Sequence, residues 1–312
     1  MKDDEILYLV EQMSDEEYLY HEELKCCTNE GSPSDLAYAR VRQFRDVNML
    51  PILNTLLDKV KQAEQKQHLY FMIGTIGVNS GDARAGMLLL ERLEQETKPS
   101  LLESILEELA KQQCIPDTER IVKYIDDSRS SVREAAIQAL RACRDETAED
   151  VLIRLITTSN NSFDIMSANF VLATIGTERA VPYLTPLLDH SRGDVRHSAL
   201  AALSELGNGL DLSIFLHGLK DRSSNVREYA LVAIDRHGDE VAIEPVIKRV
   251  QILLKRARQI QTDEVLIALR FLHRYQHSHQ AIPKLFHWII QTKREVLFDE
   301  EWQWIEDHCT CY

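Results

Sequence analysis

Small and aliphatic residues recur along this chain four positions apart, inside a longer period in the low thirties. The pattern is sharpest in the stretch from Asp127 to Leu140 and in its near-copies from Asp189 to Leu203 and from Asp221 to Ile234. Counted from the valines of three Val-Arg pairs (Val132, Val195, Val226), the fourth residue on is Ala136, Ala199 or Ala230. The eighth is Leu140, Leu203 or Ile234. Positions i, i+4 and i+8 share one stripe of a helix. The small residue lets a neighbouring helix come close, and the aliphatic fills the space above it. Val195 and Val226 are 31 residues apart and Val132 and Val195 are 63 apart, which leaves room for one more unit. Aligning Phe163 with the valines places Ser167 and Val171 in the two stripe positions of that unit. A fixed period of this length means stacked units rather than a single globular core.

Each stripe helix follows a second amphipathic segment and a turn. Pro182 and Pro245 fall in the first turn of those segments, where a missing N–H costs least. The unit is therefore a helix–turn–helix pair. Weaker pairs are expected at 35–63, 66–95 and 99–125, and Phe71 to Gly77 echoes Val171 to Gly176 99 residues later. The glycines of this echo are read as helix ends. A phosphate-cradling loop would need a preceding strand and a lysine, and neither is present. Before the array, residues 3–27 are expected to form one or two short helices, with Ser34 or Asp35 capping the next. After it come a longer helix over 241–258, pairs near 262–275 and 280–291, and a closing helix from about 295 to 308. No strand-like alternation and no interdomain linker is expected.

The turn Asp, the Val-Arg pair, the Ala-x-x-x-Leu/Ile stripe and the closing Ile-Gly or Leu-Gly resemble the HEAT-repeat family, especially its short bacterial, phycobilisome-lyase-like form. The likeness is strong over 116–240 and weaker outside. It implies an all-α, right-handed α-α superhelix of about eight helix pairs. One domain is then expected over 1–312, with an acidic cap at 1–34, repeats at 35–291 and a second acidic cap at 292–312. It also implies a ladder in which a turn Asp meets a helix Arg of the same or the next repeat, through Asp127, Arg133, Asp189, Arg196, Asp221 and Arg227. The unit at 162–176 has no such arginine, with Thr158 and Asp164 in its two slots, and is expected to be a softer point.

Charge adds little to the architecture. The net charge is −14, of which the first 30 residues carry −8 and residues 295–312 carry −6, so the middle is neutral. Acidic ends suit the solvated caps a repeat array needs; the alternative is tails that take a basic partner. The acidic start does not resemble a secretory signal, and no apolar run reaches a membrane span. Six scattered cysteines read as free thiols. The expected location is the cytoplasm.

Chemistry is sparse. The resemblance brings in deoxyhypusine hydroxylase, whose repeats bind two irons through His-Glu pairs. Here the only such dipeptide is His21-Glu22, outside the repeats. His273, His277 and His279 offer one i, i+4 pair that could hold zinc together with His308, Cys309 and Cys311; solvated histidines are the competing reading. The three tryptophans, Trp288, Trp302 and Trp304, seal the last repeat or form an aromatic platform. Residues 245–262 contain no acid and carry Lys248, Arg249, Lys255, Arg256 and Arg258. That is a solvated helix face, or a dock for an acidic partner, RNA or the chain's own N-terminal helix. No nucleophilic constellation is visible.

The second helix of each pair is expected to line the concave side and to expose Glu134, Gln138, Arg141, Asn169, His197, Ser204, Glu228 and Asp235. That ridge is mixed and slightly acidic, unlike the basic face that HEAT-like DNA glycosylases need. The expected function is a non-enzymatic scaffold or adaptor that binds a protein along this face, with no cofactor and no metal. The partner is basic if the acidic ends take part, and neither a membrane nor nucleic acid is expected. An enzyme, a lyase-like chaperone or a nucleic-acid-binding protein is the alternative, and so is a rigid spacer.

Overall fold

The computed structural model describes residues 1–15, 19–21, 25–115, 117–143, 145–206 and 211–309. The chain divides into two compact units after Thr158. In the first, α1 (Asp3–Met13) is followed by two three-residue antiparallel strands, β1 (Leu19–His21) and β2 (Cys26–Thr28), where a helix was expected. Lys25 takes φ +51° just before β2, a left-handed conformation that interrupts a helix. Then come α2 (Pro33–Val41), α3 (Leu50–Lys59), α4 (Ala63–Ser80), α5 (Ala83–Leu93), α6 (Pro99–Ala110), α7 (Glu119–Val122), α8 (Ser130–Ala139) and α9 (Glu146–Thr158). Ser32, not Ser34 or Asp35, caps α2: its hydroxyl accepts from the Asp35 N–H, and Pro33 occupies the next position. The second helices α4, α6 and α8 stack in series.

The second unit runs α10 (Ser162–Ile175), α11 (Val181–Leu184), α12 (Gly193–Leu206), α13 (Ser213–Gly218), α14 (Ser224–His237), α15 (Ile243–Leu253), α16 (Glu264–Arg274), α17 (Ala281–Thr292) and α18 (Asp299–Cys309). Here α10, α12, α14 and α16 form the series. Helix α15 stops at Leu253, short of the expected 258. Leu254 is buried at that point, and the chain turns so that the Arg258 guanidinium reaches Glu301.

The stripe residues are the interior: Ala136, Ala199, Ala230, Leu140, Leu203 and Ile234 are all fully buried. In α10 the register is one residue off from the expected alignment. Phe163, aligned with three buried valines, is 65% exposed, while Ala168 and Leu172 are fully buried. The valine slot therefore falls on Asp164, 31 residues before Val195. Asn161 caps α10 through the Phe163 N–H and so fixes where the helix begins.

Gly74 and Gly77 lie inside α4 rather than at its end, which comes at Gly81 with φ +70°. They are small because neighbours press close, Glu108 of α6 on Gly74, and Ala85 of α5 with Gln112 on Gly77. A Cβ on Gly74 would come 2.8 Å from the Glu108 Cβ, and one on Gly77 would come 2.8 Å from the Ala85 Cβ. Gln112 sits over the gap and donates to the Gly74 carbonyl.

The repeat arginines lock the turns. Arg196 donates to the His190 and Ser191 carbonyls at 2.8 and 3.1 Å and grips Asp221 of the next repeat with two 2.7 Å bonds. Arg227 donates to the Asp221 and Arg222 carbonyls, and its Nη2 lies 3.8 Å from Glu264 on α16, which is buried and also held by Arg249. Arg133 donates to the Asp127 and Ser128 carbonyls. The carboxylate of Asp127 goes to Arg129 rather than Arg133, and this hydrogen bond holds its pKa down at about 2. Asp189 is exposed, since Arg196 passes it to reach Asp221. The arginine thus meets the carbonyls of its own turn and an acid of the following repeat.

Two outcomes follow for urea denaturation of the full chain. Gly77→Ala is expected to destabilise by about 1–3 kcal/mol, as overpacking does. Gly86→Ala, whose Cβ would meet nothing nearer than 4.0 Å, is expected to be neutral or slightly stabilising. For the lock, Arg196→Met alone is expected to cost about 3–5 kcal/mol because it strands a largely buried carboxylate. Arg196→Met with Asp221→Asn is expected to cost less than the two single changes together; full additivity would show that the pair is not coupled.

Candidate functional site

Of the eight residues expected on the exposed face, Asn169 and Ser204 are buried. In the first unit, Glu134 and Gln138 of α8 and Arg141 just after it join Glu103 and Glu107 of α6 and Lys111 just after it around a groove of about 520 Å³. In the second unit, Asn169 is fully buried, and its Nδ2 donates to the Ser198 Oγ at 3.0 Å. The one-residue slip of α10 is the reason: Asn169 falls on the position that Ile137, Leu200 and Leu231 occupy in the other repeats. Ser204 is also buried, its carbonyl taken by the His237 ring. Asp235 pairs with Arg274 at 3.1 Å. His197 and Glu228 remain half-buried at the surface.

What α10, α12 and α14 present instead is a row of rings. The Phe170 ring meets His197 edge-to-face at 6.5 Å between centroids, and His197 meets Tyr229 edge-to-face at 4.1 Å. Phe170 and Tyr229 are 40% and 38% exposed. Two turns earlier on α10, Phe163 lies under the Arg192 guanidinium at 5.7 Å. Each ring occupies a slot that sister repeats fill with something smaller or polar. The Phe163 slot holds Ser131, Asp194 and Asn225, and the Tyr229 slot holds Ala135 and Ser198. In the Tyr229 slot Ala135 and Ser198 are buried between the helices, whereas a ring must project.

Electrostatics frames the row. Burial pushes the His197 pKa down, with Asp194 acting the other way, so the imidazole is neutral at neutral pH. Its Nε2 is sealed from solvent and has no hydrogen-bond partner among the described residues. Beside Tyr229, burial first and then the charges of Asp263 and Glu264 push the Glu228 carboxyl up. The row was missed in the sequence because its aromatic residues are isolated. The signal that could have found it is an oversized residue in a column of small ones.

The remaining candidates resolve as follows. Arg249 and Arg258 of the basic stretch are spent on buried Glu264 and Glu301, while Lys255 and Arg256 are exposed. His273 packs edge-on against Trp304 and His308, and Trp304 stacks on His308 at 4.5 Å. His279 lies 4.0 Å from Glu244. Cys311 lies outside the described residues, and among those described no three His, Cys, Asp or Glu side chains are grouped to hold a metal. Trp288 and Trp302 lie under Lys293 and Arg294. Cys26, Cys27 and Cys114 are exposed thiols, and Cys143 and Cys309 are buried ones. Among the described residues no helix is long and apolar enough to cross a membrane.

No curated protein matched the sequence. Among solved structures, an engineered protein matches with 17% identity over 95% of this chain and 86% of its own, at a TM-score of 0.46. The complex of CpcE and CpcF of phycocyanin lyase from Nostoc sp. PCC7120 matches with 20% identity over 75% of this chain and 92% of its own, at 0.44. Human deoxyhypusine hydroxylase matches with 18% identity over 75% and 96%, at 0.30. The family model of HEAT repeats matches residues 118–204, the segment that holds Arg133, Arg196 and the first two rings of the row. Residues 118–204 thus match HEAT repeats, within an all-α repeat fold.

Proposed function

We propose that the protein is a non-enzymatic scaffold or adaptor of the cytoplasm, and that it holds a protein partner on the second helices of its C-terminal unit. The observation that carries this reading is the row Phe170–His197–Tyr229, with Phe163 beside it, crossing three consecutive repeats. Half-exposed aromatic rings fixed by edge-to-face contacts are large, rigid and amphipathic. They are the kind of anchor that dominates protein–protein binding energy. A repeat array offers such anchors along an extended surface without a deep pocket. At the Tyr229 end, the neighbouring carboxylates of Glu228 and Asp263 favour a partner that brings a lysine or arginine. In this reading the chain catalyses nothing and needs no cofactor.

The test is low-salt affinity purification from the source cells, with mass spectrometry and absorbance at 260 and 280 nm, comparing wild type with Phe170→Ser/Tyr229→Ser. Wild type is expected to retain one protein near stoichiometry. The double variant, with an unchanged melting temperature, is expected to bind it at least about thirtyfold more weakly, as for a lost hot spot of 2 kcal/mol or more. Retention unaffected by the double variant would place the partner elsewhere. Nucleic acid that leaves with salt would replace the reading altogether.

A further inference from the structure

A second feature of the C-terminal unit lies on the other row of helices, α15 and α17. Between them is a cleft of about 290 Å³. Its floor is apolar, formed by Ile247, Leu285 and the Trp288 indole, and its rim carries Lys248 and Lys284. Neither lysine makes an ion pair among the described residues. The Lys293 ammonium, outside the cleft lining, lies 4.8 Å from the centre of the Trp288 ring. The one acid at the cleft, Glu244, stands toward His279 at 4.0 Å.

The cations of residues 245–262 fall into two groups. Arg249 and Arg258 are held at 2.9 and 2.7 Å by Glu264 and Glu301, both buried, and belong to the interior. Lys248 is left at the cleft, with Lys255 and Arg256 exposed further along. Lys284 of α17 lines the same cleft. Two lysines about an indole-floored cleft suit a ligand that is apolar in the middle and anionic at its ends.

We propose that this cleft docks a short acidic segment of a partner protein. One large apolar side chain of that segment lies on Trp288 between Ile247 and Leu285, and flanking carboxylates lie toward Lys248 and Lys284. The apolar burial supplies affinity and the lysines supply register and on-rate. Nucleic acid fits less well: two of the five cations are spent internally, and a carboxylate stands at the mouth, whereas a phosphate backbone needs a run of free ones. This site is independent of the ring row on α10, α12 and α14. With both occupied, the chain would join two proteins.

The experiment is selection of a random twelve-residue peptide display library on the full-length protein, with Lys248→Glu/Lys284→Glu as the counter-selecting variant. Enriched peptides are expected to combine several Asp or Glu with a central Leu, Ile, Phe or Trp. The best of them, fluorescein-labelled, is expected to lose at least tenfold in affinity to Lys248→Glu/Lys284→Glu and to Trp288→Ala, and nothing to Phe170→Ser/Tyr229→Ser. The last variant separates failure here from failure of the ring row. No enrichment, enrichment without acidic residues, or affinity unchanged by the lysine reversal would overturn the proposal. So would lysine-dependent displacement of the peptide by a twelve-nucleotide oligouridine.

Discussion

The stacking distance between second helices is the constraint on which everything else rests. Ala136, Ala199 and Ala230 occupy the contact in the clear repeats, Gly74 admits α6 against α4, and Gly77 admits Ala85 of α5 and Gln112. The carbonyls of the turns between these helices take their hydrogen bonds from within the chain. The arginines donate them. Each reaches two carbonyls of its own turn, and Arg196 and Arg227 extend to an acid of the following repeat, Asp221 or Glu264. A buried guanidinium makes sense only with those partners in place. Small residue, close helix and locked turn are thus one device, repeated.

The same closeness explains how far the sequence could be read. An alanine four residues before a leucine must face inward wherever helices pack tightly, so the fold and its interior were legible from spacing alone. The register of α10 was not. A shift of one residue between repeats costs the pattern almost nothing, because Ser167 and Val171 fit the stripe nearly as well as Ala168 and Leu172. What decides is the loop before the helix, where Asn161 caps the first turn. That single residue moved Asn169 inward and Phe163 and Phe170 outward, and with them the most conspicuous part of the surface. Gly74 and Gly77 misled in a similar way, since a glycine that ends a helix and one that admits a neighbour look alike until the neighbour is placed.

Charge was the least legible property, because the same residue type serves two ends. The acidic C-terminal stretch looks like a solvated cap, yet Glu301 is fully buried and holds Arg258, itself drawn from the most basic stretch of the chain. Arg249 and Glu264 repeat the arrangement. Acids and bases that seem to advertise for partners in the sequence have in these cases found each other. The net charge of −14 is therefore a poor guide to what the protein binds. The informative charges are those left over once such pairs are removed, on surfaces that also carry exposed apolar area. By that criterion two places in the C-terminal unit stand out. One is a row of rings with surplus carboxylate beside Tyr229, and the other is an indole cleft with surplus lysine. They lie on different helix rows and carry opposite charge, so a ligand suited to one is repelled by the other.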